Sequence, residues 1–164
     1  MDEIESLYFA AFHGPPLYES REAARSFAQL YGWLLPRPDL VTVFSRTRQG
    51  AELAGIAYGH PWRWAEQSDE WAAQLRERLG ESAASLEGRF AVYLLAVDPG
   101  YRGKGLGRLL LRSALEAAGA ERAWLITRDE QTPAMALYTA EGWVPVGQGP
   151  DTPNGRPGLV LIKG

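Results

Sequence analysis

The chain has 164 residues, 46% of them hydrophobic, and a formal net charge of −3 at pH 7. At roughly 150 residues per domain, this length predicts a single domain over residues 1–164 with a sizeable core. The absence of cysteine excludes disulfides, thiolate metal sites and a cysteine nucleophile, and we expect no metal.

Basic residues are dispersed along the chain, and no apolar run approaches the roughly 18 residues of a membrane span. We therefore expect neither a nucleic-acid partner nor a membrane partner. The start Met1-Asp2-Glu3 lacks the basic residues of a signal peptide, so a cytoplasmic location is the simplest expectation.

The first third of the chain predicts two helices and a hairpin. An apolar stripe runs from Ile4 to Phe12 and stops at a Gly-Pro-Pro sequence, and a second helix runs from the cap Ser20 to Leu34. No strand pattern precedes the first helix. Leu40 to Arg46 and Leu53 to His60 then predict two antiparallel strands joined by a short turn. Glycines in the second strand indicate a bulge, a close approach of another group, or mere tolerance.

Residues 61–88 predict a helical insertion. Trp71, Leu75 and Leu79 share one face of its helix, and two tryptophans, Trp62 and Trp64, precede it. Two interpretations stand equally: the tryptophans form the wall of a substrate pocket, or they anchor the insertion to the core.

The middle of the chain predicts a buried strand, a glycine-rich turn and a helix. Eight mostly apolar residues, Phe90 to Val97, end at Asp98-Pro99, and apolar residues at helical spacing continue to Ala118. Glycines occupy alternate positions between these elements, at Gly103, Gly105 and Gly107.

A strand, glycine turn and helix in this order suit a phosphate-bearing ligand. The first amides of a helix lack internal partners, and glycines let an anion approach the backbone. Arg102, Lys104 and Arg108 add positive charge, although a tight connection with solvated basic residues is the plain alternative. The glycine spacing fits poorly to a dinucleotide fingerprint, and Lys104 is not followed by the Ser or Thr of a P-loop.

The remaining elements are a strand at Ala123–Thr127, a helix at Thr132–Glu141, and strands at Trp143–Gln148 and Leu159–Ile162. Between the last two strands, residues 149–158 predict a long, mobile connection rather than a tight hairpin.

Two motifs together resemble the GNAT N-acetyltransferase superfamily. The sequence Arg102-x-x-Gly105-x-Gly107, after Leu95-Ala96-Val97-Asp98-Pro99, resembles its acetyl-CoA motif. Residues 131–138 with Gly142-Trp143 resemble the second signature, except that Gln131 replaces the usual Asn. The resemblance implies an α/β (α+β) fold, with a twisted, mixed, mostly antiparallel sheet of about six strands and helices on both faces. The insertion at about 61–88 departs from the family pattern.

The resemblance implies acetyl-CoA as cofactor. In this family the strands before and after the central helix splay apart, and the cofactor enters between them. Leu95 and Val97 would offer main-chain groups to the pantetheine, and Arg108 would add charge near the pyrophosphate. Gln131 and Ala134 belong to the second signature. The pyrophosphate is assigned to backbone amides of Arg102, Gly103, Lys104, Gly105, Leu106 and Gly107.

The implied reaction is direct attack of an amine on acetyl-CoA in a ternary complex. Tyr138 would donate a proton or hydrogen bond to the departing thiolate, the alternative being a core tyrosine. Some family members have a basic Glu where this chain has Ala91. His60 is a candidate base, because an unperturbed histidine titrates near pH 6.5. Glu52 and a water chain remain open.

The acceptor is expected to be a small-molecule amine in an aromatic pocket. Acetylation of a protein N-terminus or lysine is the second hypothesis, and a non-catalytic acyl-CoA-binding regulatory module is the third. Family members often dimerise, so a homodimer is a further expectation. The pocket candidates are Tyr18, Trp33, Tyr58, Trp62 and Trp64.

Overall fold

The computed structural model describes residues 2–164, in which five α-helices and six β-strands form. In chain order they are α1 (Asp2–Phe12), α2 (Arg21–Leu34), β1 (Val41–Arg46), β2 (Leu53–Pro61), α3 (Glu70–Leu79), β3 (Phe90–Val97), α4 (Leu106–Ala118), β4 (Ala123–Arg128), α5 (Pro133–Ala140), β5 (Val144–Asp151) and β6 (Pro157–Lys163).

The strands form one mixed sheet in the order β1-β2-β3-β4-β6-β5. The pairs β1/β2, β4/β6 and β5/β6 are antiparallel. Strands β3 and β4 are parallel, and their pairing joins Phe90 to Ala123 and Ala91 to Trp124. A six-stranded mixed sheet with flanking helices confirms the predicted α/β fold.

The chain divides into two compact units, and the single-domain interpretation stays a prediction. The first unit contains the described part of Met1–Gly59 together with Leu94–Ala117. The second contains His60–Tyr93 and Ala118–Gly164. Within residues 2–164, no helix combines the length and the apolar content needed to cross a membrane.

Gly55 explains how α4 packs in the first unit. A Cβ at this position would lie 2.6 Å from Leu110 Cδ1 and 3.3 Å from Leu106 Cδ2, so a larger residue would require these leucine side chains of the helix to move. Its strand partner Ser45 lies beside a register shift between Ser45 and Arg46. Of the interpretations open for the strand glycines, the structure supports both a bulge and a close approach at this position.

The insertion closes on itself in the second unit. Trp62 N donates to Arg89 O at 2.8 Å, and Gly88 N donates to Trp62 O at 2.8 Å. Helix α3 begins at its cap Asp69, and Arg78 near its end donates to Gly149 O at 2.7 Å. Residues 61–88 therefore contain α3 with 3-10 turns on both sides, and the interpretation of this segment as an insertion stays a prediction.

The connection between β5 and β6 differs from the prediction. The two strands extend to the pair Asp151 and Pro157, so only residues 152–156 join them. Thr152 N donates to Arg156 O at 2.9 Å, which closes a short hairpin. The connection is therefore shorter than predicted, because both strands extend into residues 149–158 and β5 is an edge strand, where the proline at position 150 is tolerated. Its mobility stays a prediction.

Candidate active site

The glycine loop, defined as residues 98–108, leads from β3 into α4. Asp98 N donates to Ala54 O at 2.8 Å, which continues the sheet bonding by one residue. The Asp98 carboxylate then accepts a hydrogen bond from Gly100 N at 2.8 Å and caps a single 3-10 turn, Pro99–Tyr101. Asp98 therefore fixes the point at which the strand ends and the turn begins.

The loop presents an open backbone surface at the start of α4. Gly103 and Gly105 have φ values of +75° and +79°, in the left-handed region that favours glycine. Apart from the glycine itself and its two chain neighbours, no residue of the described chain has an atom within 4 Å of a Cβ placed on either glycine. Leu109 N donates to Gly105 O at 3.0 Å, so the amides of residues 106 and 107 precede this bond in the first turn of α4 and face no helical carbonyl. This arrangement fits an anion such as a pyrophosphate.

The three basic side chains of the loop differ in their contacts. Arg102 Nη2 donates a hydrogen bond to Ala11 O, in the last turn of α1. Lys104 Nζ lies 5.7 Å from the centre of the Tyr101 ring, and both Lys104 and Arg108 are exposed. Lys104 and Arg108 are therefore at the surface of the loop, whereas the guanidinium of Arg102 is directed to the protein backbone.

Leu95 and Val97 contribute side chains to the interior of the first unit. Both are half-buried and pack against a cluster of Ala57, Leu110 and Ala114. Because the side chains pack in the core, these residues would contact a ligand through their main-chain groups. Their predicted pantetheine contact stays a prediction.

Tyr138 lies on the buried side of α5, in the second unit. The helix begins with Pro133 after Thr132, whose hydroxyl accepts from Met135 N at 3.0 Å. The Tyr138 side chain is 6% exposed, and its ring centre lies 6.0 Å from that of Trp143. Burial raises the pKa of the Tyr138 phenol above its ordinary value. Tyr138 therefore keeps its proton throughout the neutral pH range.

Gln131 is exposed just before α5, and Ala134 is half-buried in its first turn. Gln131 lines a cavity of about 340 Å³ in the second unit, whereas Tyr138 does not. The cavity therefore contains one residue of the predicted cofactor set. Its lining also includes Asp129, Glu130, Met135, Trp143 and Leu159.

His60 lies near the end of β2 and is 1% exposed. Its Nδ1 donates to the carbonyl oxygen of Pro61 at 2.7 Å, and its ring centre lies 4.9 Å from that of Tyr93. The bond at Nδ1 fixes the ring orientation and places the proton of a neutral imidazole on that nitrogen, so Nε2 would be the basic atom. The role of His60 as a base stays a prediction.

The position of the family's basic Glu offers no ionisable group here. Ala91 is buried in β3. The neighbouring Arg89 is also buried and donates to Ser85 O at 2.7 Å and Lys163 O at 2.9 Å. Burial lowers the pKa of Arg89, with a smaller contribution from Arg122, and its hydrogen bonds give it a structural role.

Among the aromatic candidates of the first unit, two are on the surface and one is inside. Trp33 is 75% exposed and Tyr18 is 71% exposed, with a φ of +49° at Tyr18. Tyr58 is buried, with its ring centre 4.7 Å from that of Tyr31. Trp33 and Tyr18 therefore have surface for an acceptor, whereas Tyr58 is part of the interior.

The tryptophans of the insertion pack against one another. Trp62 is 1% exposed, and its ring centre lies 5.2 Å from Trp64, 6.4 Å from Trp71 and 5.0 Å from Trp124. The half-buried Trp64 donates its Nε1 proton to Ala83 O at 2.9 Å. This packing supports the anchoring interpretation, because Trp62 has almost no accessible surface for a ligand.

Sequence reasoning missed a contact of the glycine loop that the structure shows. Tyr101 OH accepts a hydrogen bond from Arg48 N at 3.1 Å, which ties the loop to the turn between β1 and β2. The two residues are separated by 53 positions, so no local pattern could indicate it. Over residues 2–164, no group of three or more His, Cys, Asp or Glu side chains is placed to hold a metal ion.

A family model described as the acetyltransferase (GNAT) family matches residues 1–143. Since the match covers most of the chain, the chain belongs to the GNAT acetyltransferase family, whose members use acetyl-CoA. The resemblance based on the two motifs is thereby confirmed.

Two curated relatives align with about a third of the chain. Mycothiol acetyltransferase of Beutenbergia cavernae is 45% identical over 58 residues, which cover 34% of this chain and 20% of that protein. N-alpha-acetyltransferase RimI of Mycobacterium tuberculosis is 40% identical over 58 residues, covering 35% of this chain and 37% of that protein. The chain thus matches well under two thirds of either relative.

The fold is also similar to solved acetyltransferase structures. PaiA N-acetyltransferase from Thermoplasma acidophilum, solved in complex with coenzyme A, aligns with a TM-score of 0.58 at 12% identity. The alignment covers 99% of this chain and 88% of that one. At this identity the likeness shows a shared fold.

Proposed function

We propose that the chain is an acetyl-CoA-dependent N-acetyltransferase whose acceptor is the primary amine of a small molecule. The observation that carries the proposal is the glycine loop at the start of α4. Two glycines with positive φ leave open space beside the first amides of α4, and Lys104 and Arg108 add positive charge at the surface of the loop. Membership of the GNAT family supports acetyl-CoA as the ligand.

The residues present fit this ligand. Backbone amides in residues 102–107 would bind the pyrophosphate, and Lys104 and Arg108 would add charge. Acetyl-CoA supplies an activated acetyl group as a thioester, and transfer to an amine forms an amide bond while the carbon–sulfur bond breaks. Further contacts to the pantetheine are assigned to Leu95, Val97, Gln131 and Ala134.

Tyr138 would stabilise the departing thiolate. Burial raises its pKa above the ordinary value of about 10, while a thiol has a pKa of about 8.5. Complete proton transfer from this phenol to the thiolate is therefore uphill, so Tyr138 acts mainly by donating a hydrogen bond to the sulfur. The final proton would come from solvent or from the proton released by the amine.

A base must take the proton of the attacking amine, because an alkylammonium group with a pKa near 10.4 is mostly charged at pH 7. His60 would serve through Nε2, since its Nδ1 donates to Pro61 O. Glu52 at the exposed turn between β1 and β2 and a water chain are the alternative routes for this proton.

The exposed aromatic residues Tyr18 and Trp33 would contact the acceptor. Rings of this kind bind apolar bodies by burial and cations through their faces. A relative named mycothiol acetyltransferase supports a small-molecule acceptor. Another named as an N-alpha-acetyltransferase favours a peptide N-terminus as the second candidate.

The test is thiol release from acetyl-CoA with polyamines, aromatic amines, aminoglycosides, amino acids and short peptides, with Tyr138→Phe in parallel. We expect amine-dependent release with a small molecule, and a fall in kcat of about 100-fold in Tyr138→Phe. The acetyl-CoA Kd of this variant, measured by calorimetry, is the control and should stay within about threefold.

Release with peptides alone would favour the second candidate. Tight acetyl-CoA binding without release for any amine would overturn catalysis in favour of a non-catalytic acyl-CoA-binding module. Full turnover in Tyr138→Phe, with chemistry rate-limiting, would overturn the role of that residue.

The chain offers a matched control for the base, because it has two histidines and both place Nδ1 against a backbone carbonyl. His13 is exposed and contacts Phe9 O at 2.7 Å, whereas His60 is buried. We expect His60→Asn to remove the acidic limb of the kcat/KM profile and His13→Asn to keep it. An unchanged pH profile in His60→Asn would exclude His60 as the base.

A further inference from the structure

We infer that Arg102 is a positioning residue that couples the glycine loop to the connection between α1 and α2, defined as residues 13–20. The inference rests on the proposed function, because it concerns how acetyl-CoA at the loop affects the acceptor side. Arg102 belongs to the sequence motif and is basic, so a phosphate contact is the obvious role. The structure directs its guanidinium to Ala11 O instead.

The end of α1 is a suitable partner for this guanidinium. Carbonyl groups in the last turn of a helix lack helical donors and carry the negative end of its dipole. Helix α1 has no basic residue in its own last turn. Arg102, 91 positions further along the chain, supplies the missing cation.

Further hydrogen bonds link the end of α1 to the connection at residues 13–20. The next residue, Phe12, accepts a hydrogen bond from Glu19 N at 2.9 Å. The Glu19 carboxylate accepts from Tyr8 OH at 2.6 Å, so the end of the connection folds back onto α1. Tyr18, the exposed aromatic residue assigned to the acceptor, lies next to Glu19. Fixing the last turn of α1 therefore fixes the backbone that carries Tyr18.

The neighbouring residue Tyr101 makes a second, separate tether. Its hydroxyl accepts from Arg48 N in the turn between β1 and β2. Two adjacent residues thus join the same loop to two different segments: Tyr101 contacts the turn at residues 47–50, and Arg102 contacts the end of α1, from which residues 13–20 continue. The two side chains serve as controls for each other.

A ligand that orders the loop will order both tethered segments. Acetyl-CoA binding should thus reduce the mobility of residues 13–20 and improve acceptor binding. Because coupling between two sites is reciprocal, the acceptor should tighten acetyl-CoA binding by the same factor. One charged hydrogen bond limits this factor to about tenfold.

The test combines hydrogen exchange with acetyl-CoA binding in the wild type, Arg102→Met, Arg102→Lys and Tyr101→Phe, using coenzyme A as the probe for exchange. In the wild type, we expect coenzyme A to slow exchange in residues 13–20 and 47–50. In Arg102→Met, coenzyme A should no longer slow exchange in residues 13–20 but should still slow it in residues 47–50. Tyr101→Phe should show the opposite pattern. Arg102→Lys should restore part of the first response, because lysine still donates to a carbonyl.

Kinetics give the second measurement, with the most active amine of the acceptor panel. In Arg102→Met we expect the acceptor KM to rise about three- to tenfold. The acetyl-CoA Kd should stay within about threefold and keep its salt dependence. A merely structural role would lower stability without removing the response to coenzyme A.

Two results would overturn this inference and leave the proposed function intact. One is a large loss of acetyl-CoA affinity in Arg102→Met with a weaker salt dependence, which would make Arg102 a phosphate ligand. The other is wild-type binding of coenzyme A with no change of exchange in residues 13–20. Failure of the wild type to bind acetyl-CoA or coenzyme A would instead overturn the proposed function, and this inference with it.

Discussion

The glycine loop and the insertion both carry residue types that suggest ligand contact, but they use them in different ways. In the loop, the open surface is backbone at Gly103 and Gly105, and Arg102 and Tyr101 tether the loop to other segments. In the insertion, the conspicuous Trp62 is interior. The glycine spacing therefore indicated an open backbone surface, whereas the tryptophan content of the insertion indicated interior packing.

The reason is that the two signals differ in physical content. A glycine with positive φ marks a backbone conformation that other residues adopt only at a cost. This backbone conformation is a local property, so it can be predicted from the sequence. A tryptophan can stabilise an interior or bind a ligand with the same ring, and only tertiary packing separates the two uses.

Replacing Trp62 tests the interior half of this comparison and has the largest expected effect. We expect Trp62→Ala to lower the free energy of unfolding by about 3–5 kcal/mol, because it leaves a cavity among Trp64, Trp71 and Trp124. The matched variant Trp33→Ala removes an exposed ring and should cost at most about 0.5 kcal/mol. Urea unfolding followed by circular dichroism gives both values.

Trp62→Phe sharpens the same test. The Trp62 indole N–H is buried without a hydrogen-bond partner within residues 2–164. Replacing the indole by phenylalanine therefore removes an unsatisfied buried donor and breaks no hydrogen bond. We expect Trp62→Phe to cost clearly less than Trp62→Ala. Equal, small effects of Trp62→Ala and Trp33→Ala would contradict an interior role and favour the pocket wall.

Replacing Gly105 tests the loop half. Valine at φ +79° should cost about 1–2 kcal/mol of strain and place a side chain in the open space beside the helix amides. We expect a loss of acetyl-CoA affinity of about tenfold or more, measured by calorimetry.

The control for this variant is Gly119→Val. Gly119 follows α4, has a φ of +61° and also has open space around its Cβ position among the described residues. Gly119→Val should lose similar stability and keep its acetyl-CoA affinity. Unchanged affinity in folded Gly105→Val would remove the loop from the cofactor site.

Local patterns predicted most of the fold. The buried run Phe90–Val97, the helix after the glycines and the cap Thr132 all lie where the sequence indicated. The extent of the β5–β6 hairpin was not predictable, because Pro150 lies within β5 and the edge position that tolerates it is a tertiary property.

For the candidate site, the backbone conformation could be predicted, but the contacts and burial of the side chains could not. The conformation of Gly105 follows from a local motif, and so does the place of Tyr138 on a capped helix. The tether from Arg102 to Ala11 spans 91 positions, and the burial of Trp62 depends on packing against Trp124. Such long-range contacts leave no periodic trace in the sequence.

The smallest expected effect concerns Tyr138 at high pH. Burial raises the pKa of its phenol in the folded chain above the unfolded value of about 10, so the folded form keeps a proton that the unfolded form loses. Its contribution to stability is complete below pH 10 and falls as the pH rises towards the folded pKa, by up to about 1.4 kcal/mol per pH unit. We expect wild type to lose more stability than Tyr138→Phe between about pH 9 and about pH 11, which is about one unit on either side of the unfolded pKa. Urea unfolding at each pH gives the difference. Parallel losses in the two proteins would show that the hydroxyl is hydrated in the folded chain, and would weaken its assignment as a protonated donor to the thiolate.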